Sequence, residues 1–285
     1  MRIVEPQKTS EQPHKISGKH HRSKITLLII VLSVSAVLVF IISTKEAESP
    51  VVPAETMQVN GDKTEIVEAP TNFEISGNQL RIFYDQIRQA NTNAIPLPPV
   101  ITGNEIADTR IVQLAEQRGY RLRTVSESNL AFYGGLRLQR AVIDDWENMQ
   151  QAASRDSVRM SITSGYRTIE EQRQLFLSRL RAQGATVSTI TEGTADDAII
   201  EVLKTTAVPG YSKHHSGYTI DLLCAGTAFE NFKESSCHEW LSENNYERAF
   251  EFGFIPSYPD GADLQGPEPE AWEYVWVGER NLYFQ

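Results

Sequence analysis

Two adjacent histidines, His214 and His215, stand seven and six residues ahead of Asp221 in the run PGYSKHHSGYTID, residues 209–221. A neutral imidazole and a carboxylate both bind zinc, and a catalytic zinc takes three protein ligands and keeps one position open. Gly217 lies between His214 and Asp221, so a loop can turn there and aim both side chains at one ion. Alone, this spacing is a weak signal. A working site also needs a third ligand, a base and a positive charge for an oxyanion.

Two other stretches could supply them. In SGYRT, residues 164–168, Arg167 falls where a strand ends and a helix begins. A guanidinium there keeps its fork of donors charged at any working pH and can stabilise a developing oxyanion. In EPEAWEYVWVG, residues 268–278, Glu270 and Glu273 flank Trp272. These carboxylates read either as a base and a ligand or as solvated charges on a strand edge.

The elements that must hold these residues follow from periodicity. A short helix is expected over 78–90, and the run 93–103 is a proline-broken connector. Leu138, Val142, Trp146, Met149 and Ala153 recur at helical spacing, which predicts an amphipathic helix over 136–153. Val158, Met160 and Ile162 alternate with polar residues as in a half-buried strand. Thr168 and Glu171 form a capping box that opens a helix to about 182. Another helix begins near Thr194 and Asp197 and stops before Pro209 and Gly210. Residues 235–253 read as helix and 272–277 as a final strand. Helices and short strands alternate without βαβ regularity, so the expected class is α+β, a small antiparallel sheet flanked by helices.

Charge and hydropathy divide the chain. Residues 1–24 carry a net charge of +4 within a chain of −10. The acidic remainder argues against nucleic acid as a partner. Residues 25–43, ITLLIIVLSVSAVLVFIIS, contain no charge and are about long enough to cross a hydrocarbon core of about 30 Å. They are too long for a signal-peptide core and have no polar face, so a retained transmembrane anchor is expected over 25–44. The basic flank places 1–24 in the cytoplasm and the rest outside. Residues 45–100 are then stalk and connector, and 101–279 the extracytoplasmic domain. Of the six histidines, His214, His215 and His238 remain for an external site. Both cysteines, Cys224 and Cys237, fall in the exported part, where a disulfide closing the 225–236 loop can persist. Residues 280–285 look like the remnant of a cleavable purification tag and are set aside.

Taken together, the three motifs resemble the zinc D-alanyl-D-alanine carboxypeptidases and dipeptidases of the vancomycin-resistance type, within the wider group that includes Hedgehog-like domains. The first match is Ser164, Gly165, Tyr166, Arg167, Gln172, Leu175 and Phe176. The second is Pro209, Gly210, Ser212, His214, Gly217 and Asp221, and the third Glu270, Trp272, Val277 and Gly278. Order and spacing agree from about residue 110 to 278. The resemblance implies Zn²⁺ as cofactor, with His214 and Asp221 as ligands and Glu270 as general base. Arg167 becomes the transition-state stabiliser, and Ser212, Gln172 and Trp272 become substrate contacts. His215 has no role in the family and reads as a polar loop residue. The family's third ligand is a histidine, and Glu273 stands in its place. The implied partner is a peptidoglycan stem peptide ending in D-Ala-D-Ala. The alternatives are a peptidoglycan-binding pseudoenzyme with an impaired metal site and a stem-peptide endopeptidase on the same scaffold.

Overall fold

The computed structural model describes residues 75–126 and 130–278. The expected anchor, the basic tail, the stalk up to residue 74 and the tag remnant lie outside the described residues. Among the described residues no helix is long and apolar enough to cross a membrane.

Helix α1 (Gly77–Gln86) starts on a reciprocal capping box between Ser76 and Gln79 and ends earlier than the expected 90. It lies ahead of the 101 boundary yet buries Leu80 in the same core as the sheet described below. Strand β1 (Thr92–Ala94) occupies the start of the proline-rich connector, and helix α2 (Glu105–Gln117) follows. Periodicity did not reveal α2, because its buried face is Ala107, Ile111 and Ala115, and two alanines give a faint apolar signal. Strand β2 (Thr124–Ser126) pairs with β1.

Strands β3 (Ala131–Tyr133) and β4 (Leu136–Leu138) form a hairpin on Gly134 and Gly135, with φ of 56° and 86°. Both values are positive, as the tight primed turn requires, and glycine adopts them without strain. This corrects the helix expected from 136: the glycine pair commits Leu136–Leu138 to a strand, and helix α3 (Arg140–Arg155) starts two residues later. Strand β5 (Met160–Ser164) ends at the SGYRT run. The Thr168–Glu171 box then caps helix α4 (Ile169–Ala182) as expected. Two shorter helices follow, α5 (Val187–Thr191) and α6 (Asp196–Leu203).

A 3-10 turn at Lys213–Ser216 leads into strand β6 (Thr219–Cys224). Helix α7 (Ser236–Glu251), strand β7 (Phe254–Tyr258) and strand β8 (Glu270–Trp276) are the last elements among the described residues. Four strands form one antiparallel sheet in the order β5-β6-β8-β7. The last strand of the sequence is therefore internal, so the carboxylates it carries are not on a sheet edge.

Two apolar clusters hold the elements that carry the site. Trp146 and Met149 of α3 pack with Ile220, Leu222, Tyr274 and Val275 of the sheet. Ile111 of α2, Phe176 and Leu180 of α4 and Ile199 of α6 form the second. Tyr211 belongs to this second cluster and Tyr218 to the first, so the 3-10 turn between them is clamped at both ends. The expected disulfide joins Cys224, at the end of β6, to Cys237 in the first turn of α7. A loop of this size is worth on the order of 3 kcal/mol in the chain-entropy account.

Candidate metal centre

The central row of the sheet carries the chemistry. Ser164 on β5 lies opposite Asp221 on β6, and Asp221 lies opposite Glu273 on β8. Direct cross-strand neighbours have Cβ atoms about 4.5–5.5 Å apart, close enough for two carboxylates to share one ion. His214 enters from the 3-10 turn. Ser212 caps that turn by accepting from the His214 amide, and Gly217 closes it at a φ of 78°. A Cβ at Gly217 would also press on the end of the Leu130 side chain at 2.7 Å, but the positive φ is what favours glycine there.

Glu270 and Glu273 are three apart, which in a regular strand would place them on opposite faces. Both nevertheless line the cleft. The ladder is irregular here: Tyr258 pairs with Glu270 and Pro256 with Tyr274, so β8 has two more residues than β7 over this stretch.

The first two motifs clasp each other through the main chain. The Arg167 amide donates to His214 O at 3.3 Å. His214 Nδ1 is 2.6 Å from Gly165 O, and His215 Nδ1 is 2.7 Å from Arg167 O. A carbonyl only accepts, so Nδ1 of each ring carries the proton. His215 Nε2 is then an acceptor, and the Gly210 amide donates to it at 3.0 Å. His215 is fully buried, and burial pulls it down to about 4. It is therefore a neutral brace tying the Pro209–Gly210 turn to the SGYRT run, which corrects its reading as a polar loop residue.

The same logic leaves His214 Nε2 with a lone pair. It faces Asp221 Oδ2 at 3.4 Å and Glu273 Oε2 at 3.3 Å. Three acceptor atoms converging in a buried place repel unless a cation or a proton sits among them. With a proton alone, burial disfavours the imidazolium, but Asp221 and Glu273 outweigh it and raise His214 to about 10. A divalent ion can take the place of that proton. The possible ligand atoms of the three residues lie within 4.8 Å of one another, and Asp221 Oδ1 is buried without a partner. Tetrahedral zinc with ligands at about 2.0–2.1 Å sets them about 3.3–3.4 Å apart, which is the distance from His214 Nε2 to each carboxylate here. The residues fit the metal.

Around this centre a cleft of about 280 Å³ is lined by all eight expected site residues: His214, Asp221, Glu273, Glu270, Arg167, Ser212, Gln172 and Trp272. Burial, with the charges of Glu273 and Asp221, lifts Glu270 well above the ordinary glutamate range. Burial works against ionisation of Glu273 as well, but His214 and the Ser257 hydroxyl hold it on the ionised side. The pair is thereby split, with Glu270 the better proton acceptor. Arg167 Nη2 lies 4.0 Å from Asp221 Oδ2 and donates to Ser164 Oγ at 3.1 Å, while Nη1 donates to Gln172 Oε1 at 2.8 Å. Gln172 also donates from Nε2 to Ala207 O. Both ends of its amide are engaged within the protein, so Gln172 also holds Arg167 in place beside the cleft it lines. Trp272 packs against Phe229 at 4.8 Å, giving the cleft an apolar wall.

Phe229, Tyr258 and Arg179 also line the cleft and carried no mark in the sequence. His238 does not join it, and packs edge-on against Phe232.

Residues 135–279, just over half of the chain, match the VanY family model, described as D-alanyl-D-alanine carboxypeptidase. This chain belongs to the VanY family. Among VanY-like relatives, a D-alanyl-D-alanine carboxypeptidase of Enterococcus faecalis is 32% identical over 136 residues. The match covers 46% of this chain and 45% of that protein, so the chain spans about half the length of this curated relative. The structure of VanYB in complex with D-alanine-D-alanine overlaps at 28% identity and a TM-score of 0.43, over 53% of this chain and 78% of that one. The structure of the LdcB LD-carboxypeptidase overlaps at 22% identity and a TM-score of 0.41, over 54% and 67%.

Proposed function

We propose that this VanY-family protein is a zinc-dependent peptidase of peptidoglycan stem peptides, acting as a D-alanyl-D-alanine carboxypeptidase. The observation that carries this is the convergence of His214 Nε2 with the carboxylates of Asp221 and Glu273, in a cleft shared with Glu270 and Arg167. His214, Asp221 and Glu273 would hold the ion, which supplies Lewis acidity at a peptide carbonyl and at water.

The protein's own groups account for the rest. Glu270, kept basic by its buried and anionic surroundings, takes a proton from the attacking water. It passes that proton to the departing amine as the C–N bond breaks and the C–O bond forms. Arg167, held by Ser164 and Gln172, presents a fixed positive charge to the oxygen that gains negative charge at the scissile carbonyl. Trp272 and Phe229 exclude water from one side and suit a methyl-sized side chain.

Incubation of the purified, zinc-loaded protein with a stem pentapeptide ending in D-Ala-D-Ala tests this by mass spectrometry. Loss of a single terminal D-alanine is the expected result. Release of the dipeptide, or cleavage inside the stem, would assign a dipeptidase or an endopeptidase. Binding without any cleavage would leave a peptidoglycan-binding module, the reading that Glu273 in place of the family histidine favours.

We also propose that the apolar run 25–43 anchors the domain on the outer face of the cytoplasmic membrane, on the strength of its length and its basic flank. The full chain should then stay in the membrane pellet after an alkaline carbonate wash. Recovery of a soluble form beginning near residue 45 would replace the anchor with a cleaved leader.

A further inference from the structure

One wall of the cleft continues past the metal centre. Gln172, Leu175 and Arg179 are spaced i, i+3, i+7 along α4, so they share one face of that helix, and all three line the cleft. Gln172 stands beside Arg167, which it bonds. At 1.5 Å per residue, Arg179 follows about 10 Å further along the helix axis. Gln172 Nε2 also donates to Ala207 O, and the two residues before Ala207, Thr205 and Thr206, line the same cleft.

The two arginines of this lining differ in what their donors do. Arg167 donates to Ser164 and Gln172. The Arg179 side chain is exposed and makes no hydrogen bond or ion pair among the described residues. Thr206 is 4% exposed, and its hydroxyl makes no hydrogen bond among the described residues either. Enclosed hydroxyls are normally partnered, so the partner here comes from water or a ligand in the cleft. Arg179 and Arg181 both lie in the last turn of α4, where a cation suits the helix end. Arg181 is outside the cleft lining, so it separates that general role from a role in the cleft. The carboxylates of the lining are Asp221, Glu270 and Glu273, which repel any carboxylate that a peptide brings. Such a group has to be received away from them, by a cation whose donors are free.

We propose that Arg179, with the hydroxyls of Thr205 and Thr206, forms a subsite for a carboxylate on the acyl side of the cut bond. About 10 Å is two to three residues of extended chain at about 3.3 Å each. A carboxypeptidase has a single residue on the leaving side, and its terminal carboxylate lies within about 4 Å of the cut carbonyl. The carboxylate that reaches Arg179 is therefore one carried by the second or third residue before the cut bond. The subsite selects stem peptides whose carboxyl groups there are free over those in which they are amides. This inference deepens the peptidase reading and rests on it, because it takes the stem peptide to lie in this cleft.

Titration of synthetic pentapeptides into the zinc-loaded full chain carrying Glu270→Gln tests it by calorimetry, without turnover. The peptides end in D-Ala-D-Ala and carry either free carboxylates or carboxamides on their second and third residues. The free-acid peptide should bind about 10-fold more tightly, the effect of one charge-assisted contact. Adding Arg179→Gln should remove that preference, Arg179→Lys should keep part of it, and Arg181→Gln should keep all of it. A preference that survives Arg179→Gln overturns the proposal, and so does one that Arg181→Gln erases as fully, which marks a long-range field. A third peptide, amidated at its C-terminus instead, checks the other source of a carboxylate. If Arg179→Gln erases the preference for a free over an amidated C-terminus, Arg179 serves the terminal carboxylate and the proposal falls. A side-carboxylate preference that depends on Arg179, in a protein that cuts no peptide even with Glu270 intact, retires the peptidase reading and keeps the subsite. Cleavage without that preference does the reverse, and failure of every peptide to bind removes both.

Discussion

Glu270→Gln should lower kcat on a D-Ala-D-Ala peptide by about 10²–10⁴-fold while the protein keeps its metal. The amide matches the carboxylate in shape, so the cleft and the three ligands stay as they are and only proton transfer is removed. The size of the loss follows from how strongly this glutamate is tuned. It is 8% exposed, and burial with the charges of Glu273 and Asp221 raises its affinity for a proton well above that of a free glutamate. A carboxylate moved toward neutrality is a stronger base at working pH, so its removal costs more than that of an ordinary surface glutamate. Steady-state release of D-alanine, with zinc measured on the same samples, checks both halves. Wild-type turnover in Glu270→Gln would remove Glu270 from proton transfer. Loss of metal would make it part of the ligand set instead.

What the sequence revealed and what it hid have different physical origins. The eight residues that line the cleft were legible because metal and acid–base chemistry restrict which side chains can serve, and their spacing survives in short local motifs. The Thr168–Glu171 box and the Cys224–Cys237 pair were legible because capping and disulfide chemistry are also local. The coming together of Glu270 and Glu273 was not. A three-residue spacing in a strand by itself predicts opposite faces, and the irregular ladder between β7 and β8 was not visible in the sequence. The role of His215 was misread, and the internal bonds of Gln172 were missed, for a related reason. Whether a polar side chain meets solvent or closes a hydrogen bond to Gly210 or Ala207 is decided by segments distant in sequence. Helix α2 went unseen because its core face is mostly alanine.

Removing the carboxylate at position 273 should have the largest effect on the metal. Glu273→Ala leaves His214 and Asp221 as the only ligands of the three, and metal affinity should fall by more than about 100-fold, since even losing a partner that merely orients a ligand costs about 10–100-fold. Glu273→His should retain metal and change its preference. Two carboxylates and one imidazole make an oxygen-rich, hard set, whereas two imidazoles and one carboxylate suit zinc better than manganese. The ratio of zinc to manganese affinity should therefore rise in Glu273→His above that of the wild type. Equilibrium dialysis of the wild type and these variants against zinc and manganese resolves the order. Equal metal content in wild type and Glu273→Ala would show that Glu273 is not a ligand. The buried carboxylate would then be a structural partner of Ser257 and His214, and the cleft would be better described as a binding site for the stem peptide than as a site that cuts it.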